Sequence, residues 1–172
     1  QKLRLVLRLW ENAIVGRLVH YWQARCALDL ERMLARTKHE AQNDILKAQG
    51  VEYLFDWVVD DLPSWMTTGH GPLLSMPYAL EINDSIVYAV EKHASPEMHR
   101  RLADTLEVFS REAQTQPRVL TLGLHPHLMG VPHRMIYLEK MLDLLQDHPD
   151  TIFMTGRDIA DWFVAECPPP KE

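Results

Sequence analysis

The sequence predicts an α/β fold for its last two thirds, entered through a helical segment. Three observations carry this. Short β-branched and aromatic runs recur from residue 51 onward, most of them are followed by apolar residues at three- and four-residue spacing, and the first 50 residues lack that alternation. The chain has 172 residues, enough for one domain with a real core. Its 47% apolar and 24% charged residues are ordinary globular usage and exclude wholesale disorder. With 18 Lys and Arg against 24 Asp and Glu, the formal charge is −6, which argues against a partner that must have its phosphates neutralised, such as duplex nucleic acid. No run approaches a membrane span.

Leu3, Leu7, Trp10, Ile14, Leu18 and Tyr21 fall at helical spacing, and a second helix is expected from about Leu28 to Ala48, stopped by Gly50. The arginines at 4 and 8 interrupt the apolar start, and no small-residue cleavage site follows, so it is not read as a leader. Val51 to Val59 is strand-like and ends in the loop Asp60-Asp61-Leu62-Pro63; Leu73 to Tyr78 is a second short strand. Ser95-Pro96-Glu97 has the form of a capping Ser with Pro at the first helical position, and Leu102, Leu106 and Phe109 make that helix's buried stripe. Val119 to Leu124 is a strand running into His125-Pro126-His127, followed by an amphipathic helix from Arg134 to Gln146. Ile152 to Met154 is the last strand. Thr155-Gly156-Arg157-Asp158 forms a capping box into the helix from Ile159 to Ala165, and the prolines at 168–170 end it. Strand–helix alternation at this spacing means βαβ units around a parallel sheet.

The chemistry-bearing residues concentrate in the stretch from His125 to Arg134. A His directly after a buried parallel strand sits at the sheet's carboxyl edge, where such folds place catalytic groups, and an imidazole exchanges protons near neutral pH. The blander alternative is that His125, His127 and His133 cap loop backbone or face solvent. His-x-His also binds metals, but no third ligand is marked. Asp60-Asp61 follows a strand and offers a base, a cation site or a partner for a His; the blander and favoured reading is that one of them caps a turn. In Tyr78-Ala79-Leu80-Glu81-Ile82-Asn83-Asp84, either Asn83 or Asp84 is expected to cap the next helix, which leaves Glu81 as the functional candidate. Trp57, Trp65 and Trp162 read as core or pocket wall. There is no G-x-S-x-G, P-loop, paired C-x-x-C or dinucleotide fingerprint, and Cys26 and Cys167 are too isolated for a disulfide framework, so a reduced cytoplasmic setting is expected. An activated water suits these residues better than a covalent intermediate.

From Gly50 to Trp162 the chain resembles the C-terminal half of a polysaccharide deacetylase-like domain, nearest the branch of cofactor-independent allantoinases and N-deacetylating hydrolases. Four blocks match in order: Gly50 to Pro63; Leu74 to Asp84; Leu124 to Arg134; and the closing Thr155-Gly156 helix. The resemblance implies part of a distorted (β/α) barrel and hydrolysis of a linear or cyclic amide C–N bond. It places the family's late-strand general-acid histidine on His125. Both a sugar N-acetyl group and a hydantoin-like ring fit as substrates.

The family's N-terminal Asp-Asp and His-x-x-x-His motifs have no counterpart in residues 1–48, which hold only His20 and His39. The chain is therefore expected to be a truncated member, with a helical segment at 1–49, the barrel half at 50–166 and a tail at 167–172. It is also expected to form a homo-oligomer that covers open sheet edges. His125, Asp61 and Glu81 are the expected catalytic residues; Arg134, Trp65, Tyr78 and His127 are expected to contact a small amide or N-acetylated sugar. His125, Asp61, Glu81 and Arg134 are expected to converge on one face. No metal and no cofactor are expected, nor a nucleic-acid or membrane partner. The rival reading is a non-catalytic remnant or interaction module that keeps the fold's second half.

Overall fold

The computed structural model describes residues 5–8 and 39–170. Its elements in chain order are β1 (Leu5–Arg8), α1 (His39–Ala48), β2 (Tyr53–Leu54), β3 (Ser64–Met66), β4 (Leu73–Ser75), a π-helix (Ser85–Val90), α2 (Glu97–Glu112), β5 (Arg118–Thr121), α3 (Pro126–Met129), α4 (Pro132–Asp147), β6 (Thr151–Phe153) and α5 (Gly156–Glu166). Content is mixed α/β, and no helix among the described residues is long and apolar enough to cross a membrane.

Among the described residues the strands form two three-stranded sheets. In one, β1 lies between β5 and β6, parallel to both, with Leu5 opposite Arg118 and Thr151. The start of the chain therefore corrects the expectation of a helix from residue 3. Leu3, Leu5, Leu7 and Leu9 also alternate with Lys2, Arg4, Val6 and Arg8, a two-residue period that overlaps the helical one over so short a window. The helix expected over residues 9–38 lies outside the described residues. In the second sheet β4 is central, parallel to β2 but antiparallel to β3, so the sheet is not purely parallel. Strands are shorter than the apolar runs that form them: β2 keeps two residues of the run from Val51 to Val59, and Trp57, Val58 and Val59 are exposed.

β5 organises the core. Successive side chains of a strand point to opposite faces, and here Leu120 packs with Leu102, Met141 and Leu145 from α2 and α4, while Val119 packs with Leu74, Ile159 and Phe163 around α5. The stripe of α2 is Met98, Leu102, Leu106 and Phe109, all buried. Truncating a side chain as completely buried as Met141 to Ala costs about 2–5 kcal/mol. The capping box of α5 forms as its sequence signature implies, with Thr155 and Asp158 each taking the other's backbone N–H. The start of α2 departs from expectation. Pro96 is its N-cap, without a side-chain cap, and the Ser95 carbonyl accepts a 2.7 Å hydrogen bond from the Tyr88 hydroxyl.

Candidate functional site

Beyond β5 the chain continues to Gly123, which pairs in parallel with Asn83. Two backbone bonds fix this contact: Asp84 N–H to the Gly123 carbonyl at 2.9 Å, and Gly123 N–H to the Ile82 carbonyl at 3.0 Å. Glycine is required here by space, because a Cβ at position 123 would overlap the Asn83 carboxamide. That carboxamide cannot easily yield: it is buried, accepts the Ser85 N–H at 3.0 Å and donates to the Tyr78 hydroxyl at 3.0 Å. The close approach delivers Asp84 beneath the turn that carries His125.

Asp84 is fully buried and binds one residue twice. Its Oδ2 accepts the His125 backbone N–H at 2.7 Å, and its Oδ1 lies 2.6 Å from His125 Nδ1. A buried carboxylate is costly unless hydrogen-bonded, and these contacts occupy both oxygens. The carboxylate can only accept, so Nδ1 carries the proton and Nε2 is left for another partner; this tautomer follows from the partner's chemistry. The His125 side chain keeps 43% of its exposure while Asp84 keeps none. His125 has extended backbone and caps α3, whose first residue is Pro126; Leu128 and Met129 N–H both reach the His125 carbonyl at 2.9 Å. Asp84 immediately precedes the π-helix, a conformation often found at functional sites.

Asp84 is the residue that local reasoning missed. It stands where a helix cap is expected, yet it makes no cap hydrogen bond, and Asn83 takes the local Ser85 N–H instead. The available signal was an Asp closing a strand whose neighbour ends in His.

Of the other expected site residues, His127 is exposed with its ring 5.7 Å from that of His125, edge to face. Tyr78 joins through Asn83. Arg134 also joins, with its guanidinium donating to the Leu128 carbonyl at 2.9 Å and lying 4.2 Å from the centre of the Tyr88 ring. Three others have their contacts elsewhere. The Asp61 carbonyl accepts the Val119 N–H at the start of β5, whereas His125 follows that strand's far end. Burial, reinforced by Asp60, raises the pKa of the Asp61 carboxyl. Glu81 is exposed, with its carboxylate on the Leu80 N–H and its carbonyl taken by Arg101. Trp65 pairs across the ladder with Leu74, packs on Phe163 and donates to the Cys167 carbonyl, all around α5 rather than the His125 turn. His133 is exposed. Among the described residues no three His, Cys, Asp or Glu side chains gather as a metal site requires, and Nδ1 of His125 is committed to Asp84.

No protein-family model matches the chain. A candidate polysaccharide deacetylase of Schizosaccharomyces pombe is 31% identical over 116 residues, which is 65% of this chain and 36% of that protein. A solved candidate polysaccharide deacetylase of Pseudomonas aeruginosa PAO1 superposes with a TM-score of 0.68 at 32% identity, over 77% of this chain and 45% of its own. The chain has the polysaccharide deacetylase-like fold. The crystal structure of PuuE allantoinase carries the same fold, with a TM-score of 0.71 at 28% identity over 78% of this chain and 46% of its own. A third deacetylase-like structure, from Mycobacterium smegmatis, is similar in fold alone, at a TM-score of 0.57 and 21% identity. This chain thus spans less than half the length of the deacetylase-like proteins it matches.

Proposed function

We propose that this chain belongs to a hydrolase of non-peptide carbon–nitrogen bonds, with His125 as general acid and Asp84 as the residue that orients it. The observation that carries the proposal is the buried Asp84 holding both the backbone and the ring of a half-exposed His125 at the end of β5. In amide hydrolysis water adds to the carbonyl carbon and the C–N bond breaks as the nitrogen takes a proton. A protonated His125, anchored through Nδ1, presents Nε2–H to that nitrogen and becomes neutral as the amine leaves. Fixing the ring's tautomer and direction is what a carboxylate partner contributes in other His-based sites.

The names of the relatives supply the substrate classes: an N-acetylated sugar polymer or a cyclic amide of the allantoin kind. Under this proposal Tyr78 and His127, which lie beside the His125–Asp84 pair, meet such a substrate. In this reading residues 50–166 are the second half of a distorted (β/α) barrel, 1–49 are an atypical segment and 167–172 a tail. The outer positions of β3 and β6 and the exposed Phe153 favour a homo-oligomer, and the exposed free thiol of Cys167 favours the reducing cytoplasm.

The test is an assay of the purified chain on allantoin and on N-acetylated chito-oligomers. Turnover that falls about 10²- to 10⁴-fold in His125→Asn, with the melting temperature kept, is the expected result for a lost general acid. Absence of turnover on both substrates would overturn the catalytic reading in favour of a non-catalytic module.

A further inference from the structure

One short element touches the His125 turn at two places. Asp84, at the start of the π-helix, binds His125 directly. Tyr88, one turn later and buried, presents its ring to Arg134 while its hydroxyl is tied to the Ser95 carbonyl at 2.7 Å. Arg134, from the first turn of α4, in turn donates to the Leu128 carbonyl, and the Leu128 N–H closes back on the His125 carbonyl at 2.9 Å. The Arg134 Nε is buried and has no hydrogen-bond partner among the described residues. A guanidinium that leaves a buried N–H unmet stays in place only when its other contacts fix it, here the Tyr88 ring and Leu128.

We infer that Arg134 and Tyr88 are positioning residues, which with Asp84 form a two-point clamp holding the His125 turn in register with its carboxylate. The sequence suggests Arg134 as a substrate contact; the geometry instead turns its guanidinium inward onto a loop carbonyl and an aromatic face. The inference rests on the His125 reading for its functional meaning, but its physical content is that Arg134 sets the order of the turn.

Amide hydrogen exchange and imidazole ¹⁵N NMR on the substrate-free full chain test this directly. The wild type should show one neutral His125 tautomer, protonated at Nδ1, and a protected His125 amide. In Arg134→Met and Tyr88→Leu the protection of the His125 amide should fall about ten- to a hundredfold, the scale of one charge-assisted hydrogen bond. The tautomer should become mixed, while the amides of Leu102, Leu106 and Met141 keep their protection. Arg134→Lys retains a donor and a charge over the ring and should lose less. Unchanged protection in both variants would overturn the clamp. So would an equal loss at the core amides, which makes the effect one of global stability. In activity assays loss of the clamp lowers kcat; a rise in KM with kcat kept would instead return Arg134 to the substrate. A chain inactive on every substrate sinks the proposed reaction yet leaves the exchange and tautomer result intact, so the two failures are distinguishable.

Discussion

Among the described residues, two histidines held by polar contacts at opposite ends of the parallel strands are wired in opposite ways. His125 lies past the end of β5, and His148 lies just before the start of β6. The Ser110 hydroxyl spends its proton on the Leu106 carbonyl at 2.6 Å, so His148 Nε2, 2.8 Å away, must donate to it, and the Thr151 hydroxyl meets Nδ1 at 3.1 Å. His148 therefore uses both ring nitrogens to pin α2 to the entry of β6. His125 uses only Nδ1, on a buried carboxylate, and leaves Nε2 open. A Ser–His contact at 2.8 Å resembles an activated nucleophile by distance alone, but the donor inventory excludes that role for Ser110. Parallel α/β folds place chemistry at the carboxyl ends of their strands and fastening at the other, and the two histidines divide along that line.

The largest expected effect breaks the comparison at its functional end. Asp84→Asn keeps the shape but offers a group that can donate to Nδ1, releasing the tautomer, so the rate on whichever substrate is turned over should fall about 10²- to 10⁴-fold. Ser110→Ala, at the other histidine, should leave the rate unchanged. Equal losses in the two variants would show that the division between the ends is mistaken.

Next in size is Gly123→Ala, expected to cost about 1–3 kcal/mol through overpacking against Asn83 and to lower the rate as Asp84 shifts. Denaturant unfolding measures the first effect and steady-state assay the second; an undisturbed melt and rate would mean that Asn83 yields without moving its neighbour. Ser110→Ala should cost only about 0.5–1.5 kcal/mol, the net worth of an ordinary hydrogen bond.

The comparison also explains what was legible in the sequence. The α2 stripe and the Thr155–Asp158 box depend on residues within a few positions of one another, and the residue pattern states them directly. His125 was visible because a strand signal runs into it. Its partner was not: Asp84 lies 41 positions away, and its neighbours argue for a helix cap, a local preference that the pairing of Asn83 with Gly123 overrides. The same holds for β1, whose partners in β5 and β6 lie more than a hundred residues on and whose leucines fit both periods. Asp61 shows the same limit from the other side. A paired carboxylate after a strand looks catalytic, and only the fold shows that its loop reaches back to the start of β5.

The smallest effects, of opposite sign, come from two carboxylates outside the His125 turn. Burial, then Asp60, raises Asp61, so the folded chain holds a proton there more tightly than the unfolded one. Between the ordinary value near 3.8 and the raised one, stability declines as pH rises. Asp61→Asn should therefore stabilise at pH 7 and lose that advantage in acid. Glu97 is the converse: hydrogen bonds from Arg100, then Arg101, hold it down at about 2 from an ordinary 4.5. Its contribution is present above 4.5 and is lost as pH falls toward 2, so Glu97→Gln should destabilise at pH 7, modestly because the ion pairs are largely solvated, and be neutral near pH 2. Melting each variant beside the wild type from pH 2 to 7 measures both slopes. Two slopes of the same sign would mean that Asp61 finds in solution a cationic partner strong enough to outweigh its burial. That would restore the start of β5 as a place where charge is used and weaken the division between the two ends of the strands.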